Sequence, residues 1–346
     1  MSEAVFGRYR LAGSAPTAVS PRVRAIVYDR AVVRGAVGAL ALVVGLSLGV
    51  GHPAFAQAQV RDFDAERARK DLREMAAVGA RSPGSDGKQR LVDLFVQRLR
   101  QAGLSADVQP LPRWAPGSEQ APLVNVVGEA AGTAKQPRLV VLIAHYDSSS
   151  SISPGPADVN CGLSGAAALL EAARTLGARP WPQSLLVALV DGHFQHEVTG
   201  RRVDADIGAR AVAETLERSG RLAQIEIVIA VDRLGFAKLE LANELGLSRD
   251  FQTELSNYLY AQHLSDAFRD DAPIRILDSH DPFRSRGVRA VLPVIGRTKG
   301  DNAGSDALCD HSLDLLRGDD LATFQAFGEL IDRLARGRLL TIPARK

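Results

Sequence analysis

The hydrophobic and polar positions along the chain alternate between a helical period and continuous apolar runs. Helical spacing of the apolar residues predicts helices over residues 64–78, 89–102, 165–176, 208–219, 251–263 and 319–335. Continuous apolar runs predict strands over residues 123–127, 138–144, 184–190, 225–231 and 288–295. Apolar strands that alternate with helices are typical of a sheet covered on both faces. The pattern therefore predicts an α/β fold, a three-layer α/β/α sandwich with a mostly parallel central sheet.

The first 56 residues have the pattern of a secretory signal. Four arginines precede its apolar part: Arg22, Arg24, Arg30 and Arg34. An uncharged run over residues 35–51 follows, and then Ala54-Phe55-Ala56, a small-x-small sequence typical of signal peptidase cleavage. We expect residues 1–56 to be a signal peptide and residues 57–346 to form an exported domain, periplasmic or secreted. The alternative is an uncleaved anchor on the inner membrane, the one case in which a membrane partner is expected.

The composition of the chain indicates a folded protein and gives no sign of a nucleic-acid partner. The 346 residues carry a formal net charge of +2 and are 46% hydrophobic, which is the composition of a folded chain rather than a disordered one. A charge so near zero gives no reason to expect a nucleic-acid partner. Only two cysteines are present, Cys161 and Cys309, and export would place them in an oxidising compartment where thiols can pair.

Potential metal ligands follow the predicted strands. His145-Tyr146-Asp147 comes after the strand that ends at residue 144, the stretch 191–197 follows the next strand, and Asp232 follows the third. A further group, Cys309-Asp310-His311, precedes the last predicted helix. In folds of this class, ligands bind at the carboxyl ends of the strands. Because His, Asp, Glu and Cys are the residues that bind zinc in proteins, these positions are candidate zinc ligands.

Six segments, in order along the chain, resemble metallopeptidase family 28, which contains zinc aminopeptidases and animal-type glutaminyl cyclases. They are residues 81–85 (Arg-Ser-Pro-Gly-Ser), 139–176 with its His-Tyr-Asp-Ser and Ser-Gly, 187–192 ending in Asp-Gly, 231–235 (Val-Asp-Arg-Leu-Gly), 278–288 with Asp-Ser-His-Asp-Pro-Phe, and 311–314 (His-Ser-Leu-Asp). The resemblance covers most of the expected exported domain. It implies the zinc aminopeptidase fold and action on peptide N-termini, either by release of the first residue or by cyclisation of an N-terminal glutamine.

The resemblance also implies a set of zinc ligands. His145, Asp232 and His311 match ligand positions of the family, and Asp147 matches an aspartate that orients the first histidine from behind. The aspartate that bridges two metal ions in the family corresponds either to Asp158 or to Cys161, and the sequence leaves both open. With intact ligands, the family pattern implies one or two zinc ions.

Departures from the family fall on its catalytic positions. Where the family has Asp-Gly-Glu-Glu, this chain has Asp191-Gly192-His193-Phe194. Histidine thus stands at the general-base position, and phenylalanine, which cannot bind zinc, stands at a ligand position. His193, His196 and Glu197 are the candidates to replace the missing carboxylates, and we predict His193 and Glu197 as catalytic residues. Ser279, followed by His280, stands where the cyclases have a catalytic aspartate.

These departures lead to three hypotheses. The first is an active zinc enzyme with altered ligands, since metal sites exchange histidine, cysteine and carboxylate. The second is a catalytically inactive pseudoenzyme that binds peptides or proteins and holds no zinc. The third adds to the second a disulfide between Cys161 and Cys309 across the former metal site, because both cysteines fall beside ligand positions of the family. The sequence alone leaves open whether the chain is an enzyme.

Overall fold

The computed structural model describes most of the chain after the expected signal segment. The described residues are 62–111, 122–148, 159–178, 180–193, 196–198, 201–203, 205–235, 239–268, 273–298 and 319–338. They belong to one compact unit, Ala58–Lys346. The predicted signal segment, residues 1–56, lies outside the described residues. Among the helices that are described, none has the length and apolar character needed to cross a bilayer.

Six of the described helices occur where the apolar spacing predicts them, and a seventh, with only four residues, is not predicted. They are α1 (Ala65–Ala76), α2 (Asp86–Gln101), α3 (Ser164–Gly177), α4 (Ile207–Arg218), α5 (Arg249–Ala261), α6 (Asp281–Arg284) and α7 (Asp319–Ala335). A π-helical turn, Val159–Leu163, leads directly into α3. Side chains cap three of the helices, because Asp64, Ser85 and Ser248 each accept a hydrogen bond from a backbone N–H of the first turn of α1, α2 and α5.

The strands form one large sheet and a separate hairpin. They are β1 (Ser105–Leu111), β2 (Leu123–Ala130), β3 (Leu139–His145), β4 (Ser184–Val190), β5 (His196–Val198), β6 (Arg201–Val203), β7 (Ile225–Asp232), β8 (Leu239–Leu241) and β9 (Val291–Thr298). The large sheet has seven strands in the order β1-β2-β4-β3-β7-β9-β8, and β5 pairs with β6. The central strands β4, β3, β7 and β9 are parallel, whereas β1, β2 and β8 join the sheet antiparallel.

The sheet is covered on both faces, which explains its uninterrupted apolar strands. Along β3, the side chains of Val140, Leu142 and Ala144 join one core, packed against α1, α2, α3, α5 and α7. The alternate side chains Leu139, Val141 and Ile143 join a second core, packed against α4 and α6. Since successive side chains of a strand point to opposite faces, both sets must be apolar. The structure is thus the predicted three-layer α/β/α sandwich.

The sheet is less parallel than the sequence pattern predicts. The α/β class is confirmed, and the parallel strands form its centre, but β1 and β8 at the edges and the β5–β6 hairpin are not predicted. β1 is mostly exposed or partly exposed and contains Pro110, so it lacks a continuous apolar run. β8 and the two hairpin strands have only three residues each, too few to show a period. Of these differences, the β5–β6 hairpin bears on the candidate site, because it lies in the segment that follows the carboxyl end of β4.

Candidate metal centre

His145 is the last residue of β3, and its ring lies between two carboxylates. Its Nδ1 is 3.2 Å from Asp147 Oδ1, and its Nε2 is 3.1 Å from Asp232 Oδ1 at the end of the neighbouring strand β7. All three side chains are almost fully buried. A carboxylate behind Nδ1 fixes the tautomer in which Nε2 is available to a ligand, which is how metal-binding histidines are usually held.

Close packing fixes the ring of His145 in this position. The π-helical turn passes so near the ring that a Cβ atom at Gly162 would lie 2.6 Å from its Cε1. At Gly165 a Cβ would lie 2.5 Å from the carbonyl oxygen of Val231, so only glycine lets α3 begin this close to β7. On the other side, the buried Arg81 donates from Nε to the carbonyl oxygen of Tyr146 over 3.0 Å. Arg81 comes from the Arg-Ser-Pro-Gly-Ser segment, and this contact gives that motif a structural role.

His193 follows β4 and stacks on His145. The two ring centroids are 4.0 Å apart and the rings are tilted by 20°. The backbone N–H of His193 donates to Asp147 Oδ2 over 3.0 Å, so one carboxylate contacts both histidine residues. On its far side, His193 Nδ1 is 2.7 Å from Asp206 Oδ1 and 4.0 Å from Asp278 Oδ1. His193 therefore faces two further carboxylates that do not touch His145.

A short ladder of backbone hydrogen bonds brings Asp206 to His193. The N–H groups of Asp206, Ile207 and Gly208 donate to the carbonyl oxygens of His193, Gly192 and Asp191 over 3.2, 2.9 and 3.0 Å. Asp206 precedes α4 but does not cap it, because its backbone is left-handed with φ of 57° and its side chain turns to His193 instead. A left-handed backbone is uncommon outside glycine, although aspartate adopts it more readily than most residues.

A buried ion pair supports the loop that carries His193. Lys88 Nζ on α2 is 2.6 Å from Asp191 Oδ2, and both side chains are buried. Asp191 also accepts from the backbone N–H groups of Val124 and Gly192 over 2.8 and 2.9 Å. A buried carboxylate needs such partners, since burial without them is costly. α2, β2 and the loop after β4 are thus tied together beside the candidate site.

The carboxylates make both histidines strong proton acceptors. Burial opposes a charge on His145, but Asp232 and Asp147 outweigh it and raise the pKa of His145 well above its ordinary value. Burial and the charge of His145 lower the pKa of His193, yet its Asp206 and Asp278 neighbours raise it to about 9. Burial acts to raise the pKa of Asp232, but the opposing effect of His145 holds it below its ordinary value. A metal ion at this site would compete with protons for the same atoms.

His145 and Asp232 have the spacing of donors that share one ion. Zinc ligands at about 2.0–2.1 Å in a tetrahedron lie about 3.3 Å apart, and His145 Nε2 and Asp232 Oδ1 are 3.1 Å apart. Donor atoms of His145, His193 and Asp232 all lie within 4.8 Å of one another. A histidine binds a metal in the plane of its ring, however, and the nearly parallel planes of the two stacked rings do not meet near their nitrogen atoms. His193 in this orientation therefore does not share an ion with His145.

Comparison with known proteins assigns the chain to a family. The sequence model of Peptidase family M28 matches residues 125–334, more than half of the chain. The chain belongs to Peptidase family M28. No curated protein sequence gives a significant match.

Solved structures of M28-type proteins share the fold. The glutaminyl cyclase of an Acidobacteriales bacterium matches with a TM-score of 0.66 and 21% identity, over 83% of this chain and 99% of that one. The glutaminyl cyclase of Porphyromonas gingivalis gives 0.65 and 19%, over 80% and 99%. A Zn-dependent exopeptidase of Parabacteroides distasonis gives 0.61 and 18%, over 80% and 99%. At such identities the likeness shows the fold alone.

The structure brings together part of the residue set expected for an M28 protein. His145, Asp147, Asp232 and His193 meet at the carboxyl ends of β3, β4 and β7. Asp158 and His311 lie outside the described residues, and so does the side chain of Glu197 in β5. The roles of Asp158, His311 and Glu197 therefore remain predictions.

The remaining expected residues are buried near this site. Cys161 lies in the π-helical turn beside Gly162 and is disulfide-bonded, so its sulfur is not a thiolate ligand. Ser279 and His280 precede α6, and within the part of the chain that the structure describes, Ser279 Oγ and both ring nitrogens of His280 have no hydrogen-bond partner. Sequence reasoning missed the contacts of Lys88, Asp206 and Asp278. Of these, only Asp278 carried a signal, as part of a family motif.

Replacing Lys88 tests the buried ion pair. We expect Lys88→Met to lower the free energy of unfolding by about 3–5 kcal/mol, because it leaves the Asp191 carboxylate buried without its cation. The double variant Lys88→Met/Asp191→Asn, which removes both charges, should recover part of that loss. Urea denaturation measures both. The control is Lys70→Met on the exposed side of α1, and a loss no larger than that of the control would contradict the prediction.

Thiol counting tests the disulfide of Cys161. Cys309 is the one other cysteine in the sequence and lies outside the described residues. We expect the denatured, unreduced protein to contain no free thiol. Because the bond would close a loop of roughly 150 residues, reduction should lower the free energy of unfolding by up to about 5 kcal/mol. Two free thiols in protein purified from an oxidising compartment would show that the bond does not form.

Proposed function

We propose that this chain is a zinc-dependent enzyme that acts on the N-termini of peptides, as an aminopeptidase or a glutaminyl-peptide cyclotransferase. The observation that supports this best is the buried pair of His145 Nε2 and Asp232, with Asp147 behind the ring and the whole group at the carboxyl ends of parallel strands. The glutaminyl cyclases and the Zn-dependent exopeptidase that share the fold act in these two reaction classes.

In this proposal each residue of the site has a separate task. His145 and Asp232 hold the ion, together with donors at the family positions 158 and 311, and Asp147 keeps the Nδ1 proton of His145 in place. Zinc, when bound, polarises a carbonyl group or lowers the pKa of bound water. Because Asp147 contacts both His145 and the backbone of His193, it also sets the distance between the ion-binding ring and its neighbour.

His193 takes the proton-transfer task that glutamate has in the family. Its Nδ1 is hydrogen-bonded to Asp206, and we assign proton exchange with the substrate to Nε2. An imidazole oriented by a carboxylate in this way is a common general acid or base. Glu197 is the second candidate for this task. It lies in the insert that the Asp206 ladder closes at its base.

The second candidate function is peptide or protein binding without turnover. Its support is specific: Phe194 stands at a metal-ligand position of the family, and the ring of His193 is stacked on His145 and does not point to a shared ion. A pseudoenzyme of this kind would keep the sheet and the site walls but lack the ion.

Export remains part of the proposal. The arginine-rich and apolar pattern of residues 1–56, followed by Ala54-Phe55-Ala56, supports a signal peptide with a periplasmic or secreted product. The disulfide of Cys161 agrees with an oxidising compartment, in which such bonds persist.

Metal content and turnover, measured on the same preparations, test the proposed function. We expect the purified protein to bind zinc and to turn over either aminoacyl reporters or peptides with N-terminal glutamine. His145→Ala and Asp232→Asn should lose zinc and at least about 1,000-fold in turnover, because each removes an atom that holds the ion. Asp147→Asn should weaken zinc binding by about 10–100-fold.

His263→Asn is the matched histidine control. His263 follows α5, and asparagine tolerates the left-handed backbone that His263 adopts there, with φ of 59°. The control should bind zinc and turn over substrate as the unaltered protein does. A protein that binds no zinc and acts on neither reporter class would overturn the proposal and favour the binding function.

A further inference from the structure

His193, Asp206 and Asp278 form a cluster, and the family motifs described above do not include Asp206. His193 Nδ1 is 2.7 Å from Asp206 Oδ1 and 4.0 Å from Asp278 Oδ1. The three donor atoms all lie within 4.8 Å of one another, which is close enough for one metal ion. These residues come from three separate segments: the loop after β4, the residue before α4, and the segment before α6.

The orientation of the rings separates this cluster from the ion of His145 and Asp232. A neutral imidazole has one lone pair available to a metal, on either Nδ1 or Nε2. The nearly parallel stacking on His145 turns His193 away from a shared ion, while its Nδ1 already points to the two carboxylates. An ion held through Nδ1 would therefore lie on the far side of His193 from His145.

Negative charge at the cluster exceeds the positive charge that faces it. Asp278 is buried, and its ion-pair partner is His193; its other charged neighbours are His280 and the carboxylates Asp232 and Asp206. Within the described residues, the side-chain hydrogen bond and the ion pair of Asp206 are both made with His193. Asp232 is paired with Arg233 at 3.3 Å, whereas the described ion pairs of Asp206 and Asp278 are with His193 alone. These two carboxylates repel one another and attract a divalent cation.

Buried polar atoms without partners lie in the two residues that follow Asp278. Among the described residues, Ser279 Oγ and both ring nitrogens of His280 have no hydrogen-bond partner, and their side chains are almost fully buried. Buried polar atoms of this kind are usually satisfied by an ordered water or an ion. Asp206 also lines a cavity of about 610 Å³, whose other charged side chains are Asp281 and the four arginines Arg210, Arg275, Arg284 and Arg286. A cation that reaches Asp206 through this cavity therefore passes a net positive lining.

We propose that His193 Nδ1, Asp206 and Asp278 form a second binding site for a divalent transition-metal ion, separate from the zinc position at His145 and Asp232. Water molecules would complete its coordination. One imidazole with two carboxylates suits Zn²⁺ or Mn²⁺ better than the thiolate-binding ions. The ion takes the place of the proton that His193 shares with Asp206, so binding releases a proton. The site can be tested without turnover, but it uses the same His193 Nδ1 as the proposed function, and an ion on Nδ1 would leave the proton of His193 on Nε2 and prevent it from acting as a general base.

Binding of Zn²⁺ and Mn²⁺ alone tests the second site in a variant that lacks the first. The background is His145→Asn/Asp232→Asn, which removes the described donors of the zinc position. We expect this background to bind one Zn²⁺ by equilibrium dialysis with elemental analysis, and its melting temperature to rise with added Zn²⁺. Adding Asp206→Asn or Asp278→Asn should weaken that binding by about 100-fold or more, since loss of an outer partner alone costs about 10–100-fold.

Asp281→Asn in the same background is the matched control. Asp281 lines the same cavity and lies in the same segment as Asp278, but it is outside the cluster. It should leave the affinity for Zn²⁺ unchanged. Equal Zn²⁺ affinity in the Asp206, Asp278 and Asp281 variants would overturn the proposal, and so would a background that binds no ion while the unaltered protein binds one. In either case Asp206 only orients His193.

The outcomes remain distinct from those of the proposed function. A protein that has no turnover can still bind Zn²⁺ at the second site in this background. An active protein can equally have no second site. The melting temperature of each variant without metal shows whether it folds. If either Asp206→Asn or Asp278→Asn does not fold, the other variant is used for the test. These two conservative changes keep size and hydrogen-bonding capacity at different positions of the same cluster.

Discussion

The carboxylate of Asp147 holds the two histidines of the site in one arrangement. One of its oxygen atoms lies beside His145 Nδ1 and the other accepts the backbone N–H of His193, at 3.2 and 3.0 Å. Hydrogen bonds to a buried charged group are worth about 1.5–3 kcal/mol each, so this contact is strong enough to fix the loop after β4 against the end of β3. The stacking of the two rings, and the side on which His193 meets Asp206, both follow from it.

The parallel centre of the sheet makes this contact possible. His145 is paired in register with Val190, and β7 ends at Asp232 on the other side of β3. Because β3, β4 and β7 are parallel, their carboxyl ends lie at the same edge of the sheet. His145, the loop after β4 and Asp232 therefore lie next to one another. The ladder from Asp206, Ile207 and Gly208 then closes the loop at its base, so that the insert over residues 194–205 begins and ends beside His193.

The same geometry explains which residues the sequence reveals and which it does not. His145 and Asp232 follow apolar runs, so their place at a strand end can be predicted before any contact is known. Asp206 precedes a helix, where aspartate usually caps, and only the backbone conformation turns its side chain to His193. Lys88 lies on a helix in which charged side chains are usually exposed, and its burial depends on Asp191, which is distant in sequence. The orientation of Asp206 and the burial of Lys88 both depend on contacts between segments that are distant in sequence. The spacing of apolar residues carries no information about such contacts.

The exchange of glutamate for histidine at position 193 reverses the charge that this position brings to the site. A family glutamate adds a negative charge beside the metal ligands, whereas a protonated His193 adds a positive one next to His145. Two adjacent imidazole rings would repel one another when both are protonated, so the histidine needs negative charge on its outer side. Asp206 and Asp278 supply it. The carboxylates around position 193 thus balance the charge that a protonated histidine brings there.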